Sequence, residues 1–348
     1  MSYFVLVLNK LLLATAVAPA LWGTTYATTT VLLPPGHPVL AAVLRSLPAG
    51  LVLLMLAPRT LRVPRGAWWW RAAVLGTLNI GLFFALLFVA AERLPGGVAA
   101  TAGAVQPLVV AGLAALALGE PLRVRTVAAG VAGVVGVGLL VLRAQARLDA
   151  IGVAAALGGA LSMALGIVLT KRWGRPVPLP AFTAWQLLAG GLVLVPVLVV
   201  VEGLPASGVP GTAVAGYTYL SVVGTAVAYV LWFRGLSGLP AGVVSLLGLL
   251  SPVVATAIGW LGLGQGLTGG QLAGLVLVLG AVALGTRPPR RRPAVADLGH
   301  RAVPERLHAP RPVEGPAAAL VEGAPQDVRL ERPQGRLRAP APAQCVHR

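Results

Sequence analysis

Few side chains inside the long apolar stretches of this sequence could do chemistry, and Arg45 is the one clear ionisable case. A guanidinium suits bidentate recognition of a carboxylate, which lysine would not reproduce. The same side chain could instead reach outward to an interface or tie helix ends together, and both readings stand. The neutral polar candidates are Asn79, Gln106, Gln186 and Ser251, since amides bond both amino and carboxyl groups. Trp22, Tyr26, Trp185, Tyr229 and Trp232 could cover apolar or cationic parts of a ligand. Ordinary helix–helix hydrogen bonding and packing is the alternative for each of them. Pro107 and Pro252 would kink their helices, either as hinges around a cavity or as static bends.

Other chemistry is missing. Glu92, Glu120, Asp149 and Glu202, the four acids before Arg287, fall at span ends or in loops, so no carboxylate stands mid-span as a proton relay. The single cysteine, Cys345, excludes an intramolecular disulfide, and no Cys/His cluster has metal-ligand spacing. His37 stands alone in a Pro-Gly-His-Pro turn, and no GxxxxGK[ST] run is present. We therefore expect no metal, no cofactor, no ATP drive by this chain and no enzymatic activity.

The elements that hold these residues follow from the solvent. Of 348 residues, 57% are apolar and 11% charged, with a mean hydropathy of +0.85, more apolar surface than a water-soluble domain hides. A spanning helix needs about 20 apolar residues. On that measure we read ten transmembrane helices, near 11–32, 39–57, 68–91, 97–118, 122–142, 150–171, 181–201, 213–236, 241–263 and 267–286. Leu11 to about Leu33 is too long for a signal h-region and reads as the first span.

The net charge of +17 does not point to nucleic acid. A share of +11 precedes Arg287, nearly all in short connections between apolar segments, which is a topology signal. Arg59, Arg62, Arg65, Arg71, Arg123, Arg125, Lys171, Arg172, Arg175 and Arg234 fall on one side, against Arg93, Arg143 and Arg147 on the other. The positive-inside rule thus expects both termini in the cytoplasm. Trp68-Trp69-Trp70 reads as an interfacial anchor beside Arg71. Residues 287–348, rich in Arg and Pro, are expected to be a disordered cytoplasmic tail.

The sequence also repeats itself. Leu94-Pro95-Gly96-Gly97-Val98 matches Leu239-Pro240-Ala241-Gly242-Val243, and in the same register Gln106-Pro107 lies over Ser251-Pro252 and Leu118-Gly119-Glu120 over Leu263-Gly264-Gln265. Earlier in each half, Arg45 to Leu53 lies over Gln186 to Leu194 in a slightly shorter register. Two five-helix repeats follow, 11–142 and 150–286. An odd span count inverts the second copy, and inverted repeats place a substrate site near the midplane at their interface.

These residues resemble the drug/metabolite transporter superfamily, specifically its ten-span EamA-type members. The resemblance rests on Trp22-Gly23-Thr24-Thr25-Tyr26, Arg45, Gln106-Pro107, Leu118-Gly119-Glu120-Pro121 and Gln271-Leu272-Ala273-Gly274. Gln265 departs from it, standing where a second glutamate would supply a charge. The resemblance implies a secondary transporter that exports or exchanges small metabolites such as amino acids or drugs across the cytoplasmic membrane, and the inverted repeat implies alternating access. Its partners would be a small-molecule substrate and the lipid bilayer, with no nucleic acid; the oligomeric state, a homodimer included, stays open. A non-transporting membrane scaffold or sensor would lose its phenotype with the tail. A membrane-embedded enzyme would need His, Asp or Glu clusters at a span end.

Overall fold

The computed structural model of the protein describes residues 2–59, 63–93, 96–141, 149–204, 210–264 and 266–287. The expected tail at 288–348, Arg62, Arg143, Arg147 and Gln265 lie outside the described residues, as does the Tyr26 side chain.

Backbone polar groups have no water to bond inside a bilayer, so they must pair within a helix. Ten apolar helices long enough to cross a membrane satisfy that demand. They are span 1 (Leu6–Thr29), span 2 (Pro38–Leu56), span 3 (Trp68–Leu87), span 4 (Ala100–Leu118), span 5 (Val124–Val141), span 6 (Ala150–Trp173), span 7 (Leu179–Glu202), span 8 (Gly211–Gly238), span 9 (Ala241–Gly262) and span 10 (Gly269–Thr286). This is the number read from the sequence, and the described residues contain no strand.

The packing order has a regularity of its own. Span 1 lies against spans 8 and 9, and span 6 against spans 3 and 4. Span 2 lies against spans 7 and 8, span 7 against spans 2 and 3, and span 5 against span 10. Adding five to every number, and counting past ten back to one, returns the same set of neighbours.

Small residues allow these close approaches, because helix association in lipid is driven by packing and not by exclusion of water. A Cβ on Gly136 of span 5 would sit 2.7 Å from Val278 Cγ2, and one on Gly274 of span 10 would sit 2.6 Å from Gly136 O. Gly76 of span 3 and Gly190 of span 7 interlock likewise, each hypothetical Cβ 2.5 Å from a backbone oxygen across the contact.

Several spans are not simple α-helices. Span 4 is built from Gly96–Gly103 and Gln106–Leu118, and span 9 from Ala241–Leu247 and Leu250–Leu263. Both break just before the repeated proline. Pro107 and Pro252 thus sit in the first turn of the second piece, where a missing N–H costs nothing. Spans 3 and 8 each carry a π-helical turn near the middle, Thr77–Gly81 and Val222–Val227. The register that lays Leu94 on Leu239 also lays Thr77 on Val222.

Candidate functional site

Two polar links cross the middle of the bundle, each running from one half to the other. Span 2 places Arg45 against the π turn of span 8, where Arg45 Nε donates to Thr225 Oγ1 at 3.0 Å and Nη2 to the Gly224 carbonyl at 3.2 Å. A π turn interrupts the regular α-helical bonding ladder and is frequent at functional sites. The guanidinium also lies over the Phe84 ring, 5.0 Å from its centroid.

The second link is neutral. Span 7 presents Gln186, whose Oε1 accepts from Asn79 Nδ2 at 2.8 Å, and Asn79 stands in the π turn of span 3. The same Nδ2 donates to Thr170 Oγ1 of span 6 at 3.3 Å. Asn79, Gln186 and Thr225 are all fully buried. Gly166 of span 6 makes room for the Asn79 amide, since a Cβ there would be 2.6 Å from Asn79 Cγ. Asn79 Oδ1 and Gln186 Nε2 have no hydrogen-bond partner among the described residues.

Between these links lies an aromatic wall. Trp22 of span 1 packs on Tyr229 and Trp232 of span 8, with ring centroids 5.3 and 5.1 Å apart. Phe233 continues it against Tyr229 at 5.8 Å and against Phe182 of span 7 at 5.7 Å. Tyr229 Oη reaches the Asn79 carbonyl at 3.5 Å, too long for a strong bond. The indole N–H groups of Trp22 and Trp232 have no partner among the described residues. Six sequence candidates, Trp22, Arg45, Asn79, Gln186, Tyr229 and Trp232, thus gather in this central region.

Trp185 packs against Trp68, with ring centroids 6.4 Å apart. Gln106 opens the second piece of span 4, half-buried. Arg71 lies about equally far from the Trp68, Trp70 and Trp173 rings, at 5.5, 5.5 and 5.6 Å, a cation–aromatic cluster at the expected anchor.

Sequence reasoning set aside the acids at the span ends, yet two of them join separate spans. Both carboxylate oxygens of Glu120, just past span 4, accept from Ala241 N at the start of span 9, each at 3.0 Å. Lys171 of span 6 lies 3.2 Å from Glu120 and also donates to the Leu239 carbonyl. A carboxylate at a helix N-terminus satisfies orphan N–H groups and the helix dipole together. Glu202, ending span 7, does the same at span 2, accepting from Val39 N at 2.6 Å and Leu40 N at 2.9 Å with His37 Nδ1 3.6 Å away. The signal available in sequence was an acid just after one apolar run matched to a proline-led start of another. Beside Lys171 a cavity of about 280 Å³ is lined by Thr170, Arg175, Phe182, Phe233, Leu236 and Ser237.

Among the described residues the bundle holds a polar centre and no group of side chains that could bind a metal. Comparisons with known proteins show its kind. Protein PecM of Dickeya dadantii is 47% identical over 269 residues, covering 77% of this chain and 89% of its own. A probable amino-acid metabolite efflux pump of Salmonella typhimurium is 29% identical over 215 residues, 58% of this chain and 71% of its own. A chain solved by crystallography shares the fold, with a TM-score of 0.70 over 80% of this chain and 96% of its own, at 23% identity. The model of the EamA-like transporter family matches residues 9–142 and again 150–287. With ten membrane-spanning helices and that family's pattern over both halves, the chain belongs to the EamA-like transporter family.

Proposed function

We propose that this transporter exports small metabolites, amino acids and related compounds foremost, across the cytoplasmic membrane by alternating access. Two inverted five-helix repeats, 11–142 and 150–286, would exchange conformations around a site at mid-membrane, with both termini in the cytoplasm. The observation that carries this reading is that the principal span pairs, 1–8, 1–9, 2–7, 2–8 and 5–10 with 6–3, 6–4 and 7–3, are unchanged when each span is replaced by its counterpart five places on. Such symmetry lets the same contacts be made and broken at either end.

Arg45, Asn79, Gln186, Trp22 and Tyr229 are proposed to line the path, and Tyr26, Gln106 and Trp185 to contribute to it from spans 1, 4 and 7. Pro107 and Pro252 are proposed hinges, placed at equivalent breaks of spans 4 and 9. The Salmonella relative, a probable amino-acid metabolite efflux pump, favours amino-acid metabolites as the substrate class.

The test is an export screen. Cells with and without the chain are loaded with a metabolite panel, and release to the medium is followed by mass spectrometry. Faster release of at least one amino-acid-like compound is expected. Equal release of every compound, with the protein present in the membrane, would contradict export.

A further inference from the structure

We propose that Arg45 is the anion-recognition element of the transport path, and that the molecules carried bear a carboxylate which becomes its counter-ion. This rests on the carrier reading above and names its substrate class.

A charge in a membrane interior is costly and is ordinarily paired. Among the described residues Arg45 contacts only neutral acceptors, Thr225 Oγ1 and the Gly224 carbonyl, and no carboxylate forms an ion pair with it. Two of its five N–H groups are engaged by those residues, which leaves three for a ligand. A planar fork held from one edge by span 8 and on one face by Phe84 is oriented for a bidentate carboxylate.

The bundle contains its own comparison. Gln186 stands in the place of Arg45 in the second half, and it makes the corresponding link to the π turn of span 3 through Asn79 without any charge. Tying the halves together therefore does not require a cation. The π-turn partners differ too, because the register that pairs Thr77 with Val222 pairs Asn79 with Gly224. Where Asn79 fills its side of the bundle and presses on Gly166, a Cβ at Gly224 would meet nothing nearer than 3.7 Å. One half thus presents a filled, neutral link, and the other a charged one with the opposing side chain removed. The absent side chain lies beside a guanidinium that no carboxylate neutralises among the described residues, the place a substrate carboxylate would take.

The experiment uses the full chain in proteoliposomes, measuring counterflow of labelled amino acids, each beside its carboxamide, together with neutral sugars and labelled chloride. Wild type is expected to exchange at least one amino acid over its amide by tenfold or more. Arg45→Gln should reduce that ratio to near one. Arg45→Lys, which keeps charge and loses the fork, should keep the preference with a higher KM. Gly224→Asn, which supplies the amide present at Asn79, should block exchange of the acid while the protein stays monodisperse.

Equal exchange of acid and amide by wild type or by Arg45→Lys would overturn the proposal, as would an unchanged ratio in Arg45→Gln. Exchange confined to sugars or amides would overturn it and leave the carrier reading standing. Movement of chloride alone would assign Arg45 to an inorganic anion and overturn the substrate claim. No exchange by any compound would remove the carrier reading itself, and this inference with it.

Discussion

Asn79 and Gln186 meet in the fully buried centre of the bundle, where each amide is the other's main polar partner. Removing one leaves the other unsatisfied in a medium that cannot hydrogen-bond, at a cost of about 1–3 kcal/mol. Gln186→Leu should therefore lower the thermal midpoint of the detergent-purified protein, and adding Asn79→Leu should cost less than the sum of the two single changes. Gly166→Ala should destabilise by about 1–3 kcal/mol through overpacking, because its new methyl would overlap the Asn79 amide. Both residues of the link were legible as unusual polar groups in apolar runs. Their pairing was not, because Asn79 and Gln186 belong to different halves and nothing local joins them.

At the scale of elements, the breaks in spans 4 and 9 were announced by Gln106-Pro107 and Ser251-Pro252, since proline marks where a helix restarts. The π turns of spans 3 and 8 carry no comparable residue signal. They emerge from packing and are recognisable as a pair only through the repeat register. The links made by Glu120 had a sequence signal but not a partner, because a charge at a span end reads as a solvated group until its partner helix is placed. Glu120 ties span 4 to spans 6 and 9, so Glu120→Gln should loosen that end of the bundle. In a Cys345→Ser background, a Ser237→Cys probe at the neighbouring cavity should then react severalfold faster with a membrane-impermeant maleimide in inside-out vesicles. An unchanged rate would show that Glu120 does not hold this end closed. Gly274→Leu, by contrast, should prevent spans 5 and 10 from meeting and sharply reduce the yield of folded protein.

For the whole molecule, composition and span length sufficed for an all-helical, ten-span membrane protein, and the repeated motifs for its family. What they did not reveal is which spans touch. The two halves do not pack as separate bodies: span 1 lies on spans 8 and 9, and span 6 on spans 3 and 4. The proposed mechanism needs this exchange, because spans shared between halves can rock about the central links and open one end while closing the other. The most direct measurement is a pair of distances between spin labels on spans 6 and 8 in nanodiscs, in the Cys345→Ser background. One pair, Arg172→Cys with Ser237→Cys, reports the Lys171 end, and the other, Ile151→Cys with Val214→Cys, reports the opposite end. The account predicts that Glu120→Gln lengthens the first distance and shortens the second. Two distances that stay fixed, or that lengthen together, would contradict alternating access.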